Sequence, residues 1–308
     1  MGDRMMTRRS FLKTTAAGIG GMGLALGCPP LLASRAAEAK ALEPGTLRLS
    51  ACVEMIFRDR PFLERIDLVA KSGLPAFEFW SWRNKDIDGI LARKKANAFE
   101  ISAFCVDPGC RLALPRSKET HVSAVRDTAR VMQKLGVKTM IITVGNEIPR
   151  VPREKQHESI VDCLKASAPV AEEAGITMVV EPLNTLVDHG GYYLWSSKEG
   201  FEIVREVGSP NVRLLYDIYH QQIMEGNLIA NITKNIDLIA HFHVGDVPGR
   251  HEPGTGEINY LNVFKAIART AYKGYVGLEF VPAKSGEEAL RHSLELAQKA
   301  EALAKAGS

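Results

Sequence analysis

The amino-acid sequence predicts a single (β/α)8 barrel over residues 40–308, behind a cleavable export signal over residues 1–39. Three observations carry the barrel. Short β-branched or apolar runs alternate with longer amphipathic ones eight times from Leu47 onward. Runs such as Thr139-Met140-Ile141-Ile142 and Thr177-Met178-Val179-Val180 are apolar on both faces, as parallel strands covered by helices must be. No Gly-rich phosphate turn follows the first run, which places an open doubly wound sheet second.

The elements follow in order. Leu47–Cys52 reads as the first strand, and Pro61 opens the helix Pro61–Ser72 where a missing N–H costs little. Gly73 stands just past that helix, as Gly136, Gly175 and Gly208 do past later ones, where a left-handed cap suits glycine. Strand Ala76–Phe79 precedes helix Ile87–Ala98, and strand Ile101–Val106 precedes helix Lys118–Leu135. Strand Thr139–Thr143 is followed by helix Glu154–Ala174, and Thr177–Glu181 by Lys198–Val207. The last three strands are Val212–Tyr216, Ile239–Val244 and Tyr275–Phe280. Their helices are Leu228–Asn235, Leu261–Thr270 and a final one from about Glu287 to Ala304.

Composition sets outer bounds. With 45% hydrophobic and 24% charged residues the chain is neither disordered nor of low complexity. No stretch of about 18 apolar residues occurs, so no ordinary membrane span is expected. The net charge of +3 lies entirely in residues 1–39, where Arg4, Arg8, Arg9, Lys13 and Arg35 face Asp3 and Glu38. The neutral remainder has no global field to draw it to phosphate backbones, and no nucleic-acid partner is expected.

Residues 1–39 read as an address. Thr7-Arg8-Arg9-Ser10-Phe11-Leu12-Lys13 is a twin-arginine motif, a Gly/Ala-rich apolar run follows, and Ala36, Ala37 and Ala39 offer cleavage sites. The expectation is delivery to the periplasm by the twin-arginine export machinery, which carries folded proteins. A lipid anchor at Cys28 is the alternative. Beyond the signal, Cys105 and Cys110 flank a turn and could pair, while Cys52 and Cys163 sit in apolar runs as buried thiols.

In such a barrel chemistry sits at the C-terminal strand ends. There the last four strands offer Glu181, Asp217, His243 and Glu279 at equivalent depth. A lone acid at a strand end is commonly a helix cap or a loop hydrogen-bonder. Four donors on consecutive strands are a different matter. Three carboxylates in one place repel strongly unless a divalent cation joins them. Three carboxylates and an imidazole suit Mg²⁺ or Mn²⁺, with Zn²⁺ as the alternative. His241 shares a face with His243 two residues on, and reads as a packed inner-layer histidine. His220 lies just above the site. The long loop after strand seven, punctuated by glycine and proline, reads as one wall of the pocket. It carries Arg250, either a partner for a substrate carboxylate or a loop organiser paired with Glu252 or Glu257. Trp80 and Trp82 read as an apolar wall, core packing or a subunit contact, which leaves a homo-oligomer open.

At these residues the sequence resembles the xylose isomerase-like barrel superfamily of sugar isomerases and epimerases. The likeness narrows to the hydroxypyruvate isomerase family at Glu181-Pro182-Leu183-Asn184, at Tyr216-Asp217-Ile218-Tyr219-His220-Gln221 and along the loop Gly245 to Tyr260. Leu49-Ser50-Ala51-Cys52-Val53 and Pro61-Phe62-Leu63-Glu64-Arg65 are also similar. The resemblance implies that Glu181 and Glu279 are metal ligands and the acid/base pair, that Asp217 and His243 complete the metal site, and that His220 and Arg250 bind the polar end of the substrate. Two features depart from that family: the export signal, and His243 where glutamine is common.

The expected activity is therefore isomerisation of hydroxypyruvate to tartronate semialdehyde, or of a related small keto acid or sugar, through an enediolate. A ketose 3-epimerase or sugar lyase would use the same metal site. A non-catalytic periplasmic sugar-binding protein would show metal binding without proton exchange. A multi-zinc DNA-repair endonuclease on the same barrel needs more histidine ligands than these strand ends supply.

Overall fold

Residues 47–307 are described by the computed structural model; the twin-arginine segment read over residues 1–39 lies outside them. Eight parallel strands close on themselves in sequence order, β1 (Arg48–Cys52), β2 (Ala76–Phe79), β3 (Glu100–Cys105), β4 (Thr139–Ile142), β5 (Thr177–Val180), β6 (Val212–Asp217), β7 (Ile239–Val244) and β8 (Tyr275–Leu278). Closure is made by β1 and β8, with Ala51 in register with Leu278 on one side and with Phe77 of β2 on the other.

The helices are α1 (Phe62–Lys71), α2 (Ile87–Ala96), α3 (Lys118–Leu135), α4 (Arg153–Ala174), α5 (Ser197–Val207), α6 (Ile218–Met224), α7 (Leu228–Lys234), α8 (Tyr260–Ala268) and α9 (Gly286–Ala306). Gly136, Gly175 and Gly208 cap α3, α4 and α5 in the left-handed conformation. Helix α6 has no counterpart among the sequence expectations. Its seven residues are too few to establish a helical period, and Asp217 starts it directly from the end of β6. Among the described residues no helix is long and apolar enough to cross a membrane.

Expected and observed strands differ mainly at their ends. β5 and β8 stop at Val180 and Leu278, just before Glu181 and Glu279. Both glutamates nevertheless continue the ladder through their backbone: Glu181 N–H donates to Ile142 O and Glu279 N–H to Val244 O, each at 3.0 Å.

The barrel interior is divided. Ala103, Ile141, Val179 and Leu215 form a small apolar cluster of their own, separate from the larger core between sheet and helices. Val179 and Leu215 precede Glu181 and Asp217 by two residues, so they share a face with them one layer lower. The same step back from His243 and Glu279 reaches His241 and Gly277. The layer beneath the strand ends is thus dry from Ala103 of β3 round to β6, and polar on the side of β7, β8, β1 and β2, where Ser102 of β3 joins it.

The loop between β7 and α8 is held by one buried carboxylate. Asp246 accepts hydrogen bonds from the backbone N–H groups of Val247, Gly254, Gly256 and Ile258 at 2.8–3.0 Å. A Cβ on Gly256 would lie 2.1 Å from the Val247 carbonyl oxygen, so the turn closes only around glycine there. Asp246→Ala would strip these donors of their acceptor. We expect a loss of about 2–4 kcal/mol, since each buried unpartnered donor costs roughly 1–3 kcal/mol and some would reach water. Thermal unfolding checks this; a loss below about 0.5 kcal/mol would show that the loop holds itself.

Candidate metal centre

Glu181, Asp217, His243 and Glu279 converge above the barrel axis. Each offers one ligand atom, and these atoms lie within 4.8 Å of one another. His243 Nδ1 is central, 3.0 Å from Glu181 Oε1, 3.2 Å from Glu279 Oε2 and 4.0 Å from Asp217 Oδ2. All four side chains are buried or nearly so.

The three carboxylate residues are each held by a further contact. The Glu181 carbonyl accepts from the Tyr192 hydroxyl at 3.0 Å, and that hydroxyl accepts from Val144 N–H at 2.8 Å. Asp217 caps α6, its Oδ1 accepting from the His220 backbone N–H at 3.0 Å while Oδ2 turns to the centre. Glu279 accepts at Oε1 from the Trp80 indole N–H at 2.7 Å. Trp80, 44% exposed, is therefore more than an apolar wall. Trp82 turns away and donates to Thr128 Oγ1 at 3.1 Å.

Arg250 is not a loop organiser for Glu252 or Glu257. Its Nη2 lies 2.5 Å from Glu279 Oε2 and 3.4 Å from Asp217 Oδ2, and its guanidinium covers the Tyr219 ring at 4.8 Å. Glu252 instead accepts from Ala283 N–H at 2.8 Å. Arg250 has a positive φ of 52°, which lets the loop turn its side chain back over the strand ends. His220 Nδ1 accepts from the backbone N–H of Asn184 at 3.2 Å and from its side-chain amide at 2.7 Å. Nε2 therefore carries the proton. It is buried without a hydrogen bond, 3.4 Å from Asp217 Oδ2. Burial, together with Arg250, pushes the His220 imidazole well below its usual range, so it stays neutral and offers an N–H donor.

The electrostatics show a site that wants positive charge. Burial pushes the Glu181 carboxyl up, and repulsion from Glu279 and Asp217 adds to this against the pull of His243. Asp217 is raised by burial too, against Arg250 and His243. For Glu279 burial is outweighed by His243 and Arg250, and its carboxyl lies well below the carboxylate range. His243 is raised strongly, burial notwithstanding, by Glu279 and Glu78. A divalent cation at the common centre would meet the same demand and make Nδ1 a ligand. Three carboxylates and one imidazole form a donor set of the right size and chemistry for it.

Beneath the centre lies a carboxylate that the strand-end reading does not reach. Glu78 of β2 is buried between His241 and His243, with His241 Nε2 2.9 Å from Oε2 and His243 Nε2 3.0 Å from Oε1. The signal for it is present in the sequence: a charged residue between Phe77 and Phe79 in a four-residue strand must find partners inside. His241 accordingly binds Glu78 and is not merely packed. The four cysteines of the described residues, Cys52, Cys105, Cys110 and Cys163, are free thiols, so Cys105 and Cys110 are not paired.

A closed eight-stranded barrel with this cluster at its strand ends defines a class, and the chain belongs to the xylose isomerase-like TIM barrel family, whose model matches residues 66–300. Among its relatives, hydroxypyruvate isomerase of Escherichia coli is 32% identical, the alignment covering 80% of this chain and 97% of that protein. The 2-oxo-tetronate isomerase of Cupriavidus necator is 30% identical, over 76% of this chain and 93% of the relative. Of solved structures, AP endonuclease, family 2, from Brucella melitensis superposes with a TM-score of 0.77 at 29% identity, covering 81% of this chain and 99% of that one.

Proposed function

We propose that this chain is a metal-dependent isomerase of hydroxypyruvate or a related small keto acid or sugar, acting through an enediolate. The observation that carries this reading is the convergence of Glu181, Asp217, His243 and Glu279 beneath Arg250. The two named isomerase relatives support it. Glu181, Asp217, His243 and Glu279 would hold the ion, Mg²⁺ or Mn²⁺ by their oxygen-rich set, with Zn²⁺ as the alternative. When bound, it supplies Lewis-acid stabilisation of charge developing on adjacent substrate oxygens.

The residues do the rest. Isomerisation removes a proton from the carbon beside a carbonyl and returns one to the neighbouring carbon. Glu279 and Glu181 form the acid/base pair, one taking the proton and the other delivering it. Arg250 offers paired donors to a substrate carboxylate, and the His220 Nε2–H offers a further donor to a substrate oxygen. Incubation with hydroxypyruvate in D₂O, followed by NMR, tests the reading. Tartronate semialdehyde should form with deuterium on the former carbonyl carbon, and enediolate that returns to hydroxypyruvate should leave deuterium on the carbon that had lost its proton. Metal binding with no exchange on any small keto acid or ketose would favour a binding protein instead.

Arg250 separates keto acids from neutral sugars. Arg250→Met should raise KM for hydroxypyruvate roughly 10–100-fold, because the desolvated carboxylate loses a charge-assisted pair. It should alter any turnover of a neutral ketose much less. Equal effects on both would show that Arg250 serves the protein's own carboxylates alone.

We also infer export of the folded chain by the twin-arginine route, from Arg8-Arg9 and the run that follows. Arg8→Lys with Arg9→Lys should retain the protein in the cytoplasmic fraction; an unchanged distribution would refute the route.

A further inference from the structure

The polar layer beneath the strand ends has an organisation of its own. Glu78 is buried on β2, and its two oxygens are used unequally. Oε2 accepts from Ser50 Oγ at 3.1 Å and Ser102 Oγ at 2.9 Å, and faces His241 Nε2 at 2.9 Å. Oε1 faces His243 Nε2 alone, at 3.0 Å; the two are paired by distance, and neither atom makes a hydrogen bond in this structure. Space for the carboxylate is made across the barrel: a Cβ on Gly277 of β8 would lie 2.3 Å from Oε1. Three strands thus pin one oxygen, and a missing side chain on a fourth lets the other reach His243.

An imidazole that binds an ion through Nδ1 must carry its proton on Nε2, and the partner of Nε2–H decides whether it does. We propose that Glu78 is a positioning residue for the metal centre: its carboxylate holds His243 in the Nε2–H form, with the Nδ1 lone pair aimed at the ion. Oε1 can only accept, so a hydrogen bond formed across that 3.0 Å separation needs the proton on Nε2. The two serines and His241 keep the carboxylate from turning away. The inference rests on the metal reading of the cluster above it.

The unequal pinning predicts what Glu78→Gln does. The amide oxygen takes the place of Oε2, where three donors await it, and the amide NH₂ replaces Oε1. His243 Nε2 then has to accept, and the proton moves to Nδ1, into the position of the ion. Titration of the metal-free full chain with Mn²⁺ by calorimetry should show affinity reduced about 10–100-fold, the usual effect of losing such a partner. At a Mg²⁺ concentration that loads the parent, long-range ¹⁵N–¹H spectra of histidine-labelled protein should show His243 as Nε2–H in the parent and as Nδ1–H, off the ion, in Glu78→Gln. Adding His241→Phe to Glu78→Gln removes one donor from the pinned side. The amide is then free to turn its oxygen to His243, and Mn²⁺ affinity should recover to within about threefold of the parent. A merely structural role for Glu78 predicts further loss instead.

If Glu78→Gln does not fold, Ser50→Ala with Ser102→Ala keeps the carboxylate and loosens it, and should weaken Mn²⁺ binding several-fold. Parental Mn²⁺ affinity in folded Glu78→Gln, or in the serine pair where that variant fails, overturns the proposal while leaving the metal reading intact. A parent chain that binds neither Mn²⁺ nor Mg²⁺ overturns both.

Discussion

Glu279→Gln should abolish exchange of the substrate's carbon-bound proton with solvent. The substitution preserves volume and leaves the Trp80 indole N–H an acceptor in the amide oxygen, so the strand end should keep its shape. What is lost is charge at three points. The proton acceptor disappears, which alone is worth about 10²–10⁴-fold in rate. A ligand of the proposed ion becomes neutral. The Arg250 Nη2, 2.5 Å from Glu279 Oε2, meets an amide in place of a carboxylate. Together these should lower the exchange rate by at least about 10³-fold, read by NMR in D₂O at saturating Mn²⁺ so that weaker ion binding does not dominate. A rate within tenfold of the parent would remove Glu279 from the chemistry.

The second large effect is on the ion. Removing divalent metal with a chelator should eliminate isomerisation, and Mn²⁺ or Mg²⁺ should restore it. Stability should move as well, because a ligand that binds only the folded state adds about 4 kcal/mol at a thousandfold excess over its Kd. For a domain of this size that is a rise of about 8–16 °C in Tm. The rise should depend on pH in a definite direction. Glu181 and Asp217 lie above the usual carboxylate range in the folded protein, burial being the main cause. Without the ion, ionising them therefore costs stability, and the cost appears as pH rises from the unfolded carboxylate range through their raised values. The ion binds the ionised forms, so its stabilisation should be larger at pH 7.5 than at pH 5. A shift that is constant across that interval, or no shift with any divalent ion, would rule out these carboxylates as ligands.

Much of this architecture is legible in the residue order. Buried parallel strands announce themselves by apolar runs without alternation, and β2 and β7 fall at their expected limits. The four strand-end donors could be aligned because a barrel gives every strand the same depth, so position within a strand stands in for position in space. What escaped depends on contacts across the barrel. Glu78 is far from His241 and His243 in sequence, and only closure of β1 against β8 puts them in one layer. Arg250 had charged neighbours in its own loop, yet its partners lie on β6 and just beyond β8, because Asp246 winds the loop back over the strand ends. Helix α6 escaped because its start is set by a capping contact rather than by any period.

That contact ties two jobs to one side chain. Through Oδ1, Asp217 moors the first turn of α6, and that turn carries His220; through Oδ2 it faces His243 Nδ1 at the position proposed for the ion. Neither duty can be altered by itself. On the proposed reading, a replacement that spoils ion binding would also loosen the ring offered to substrate as a donor, and a drift of the helix would drag a proposed ligand out of line. Position 217 is where scaffold and chemistry fail together, and tuning this enzyme toward another substrate should begin elsewhere on the rim.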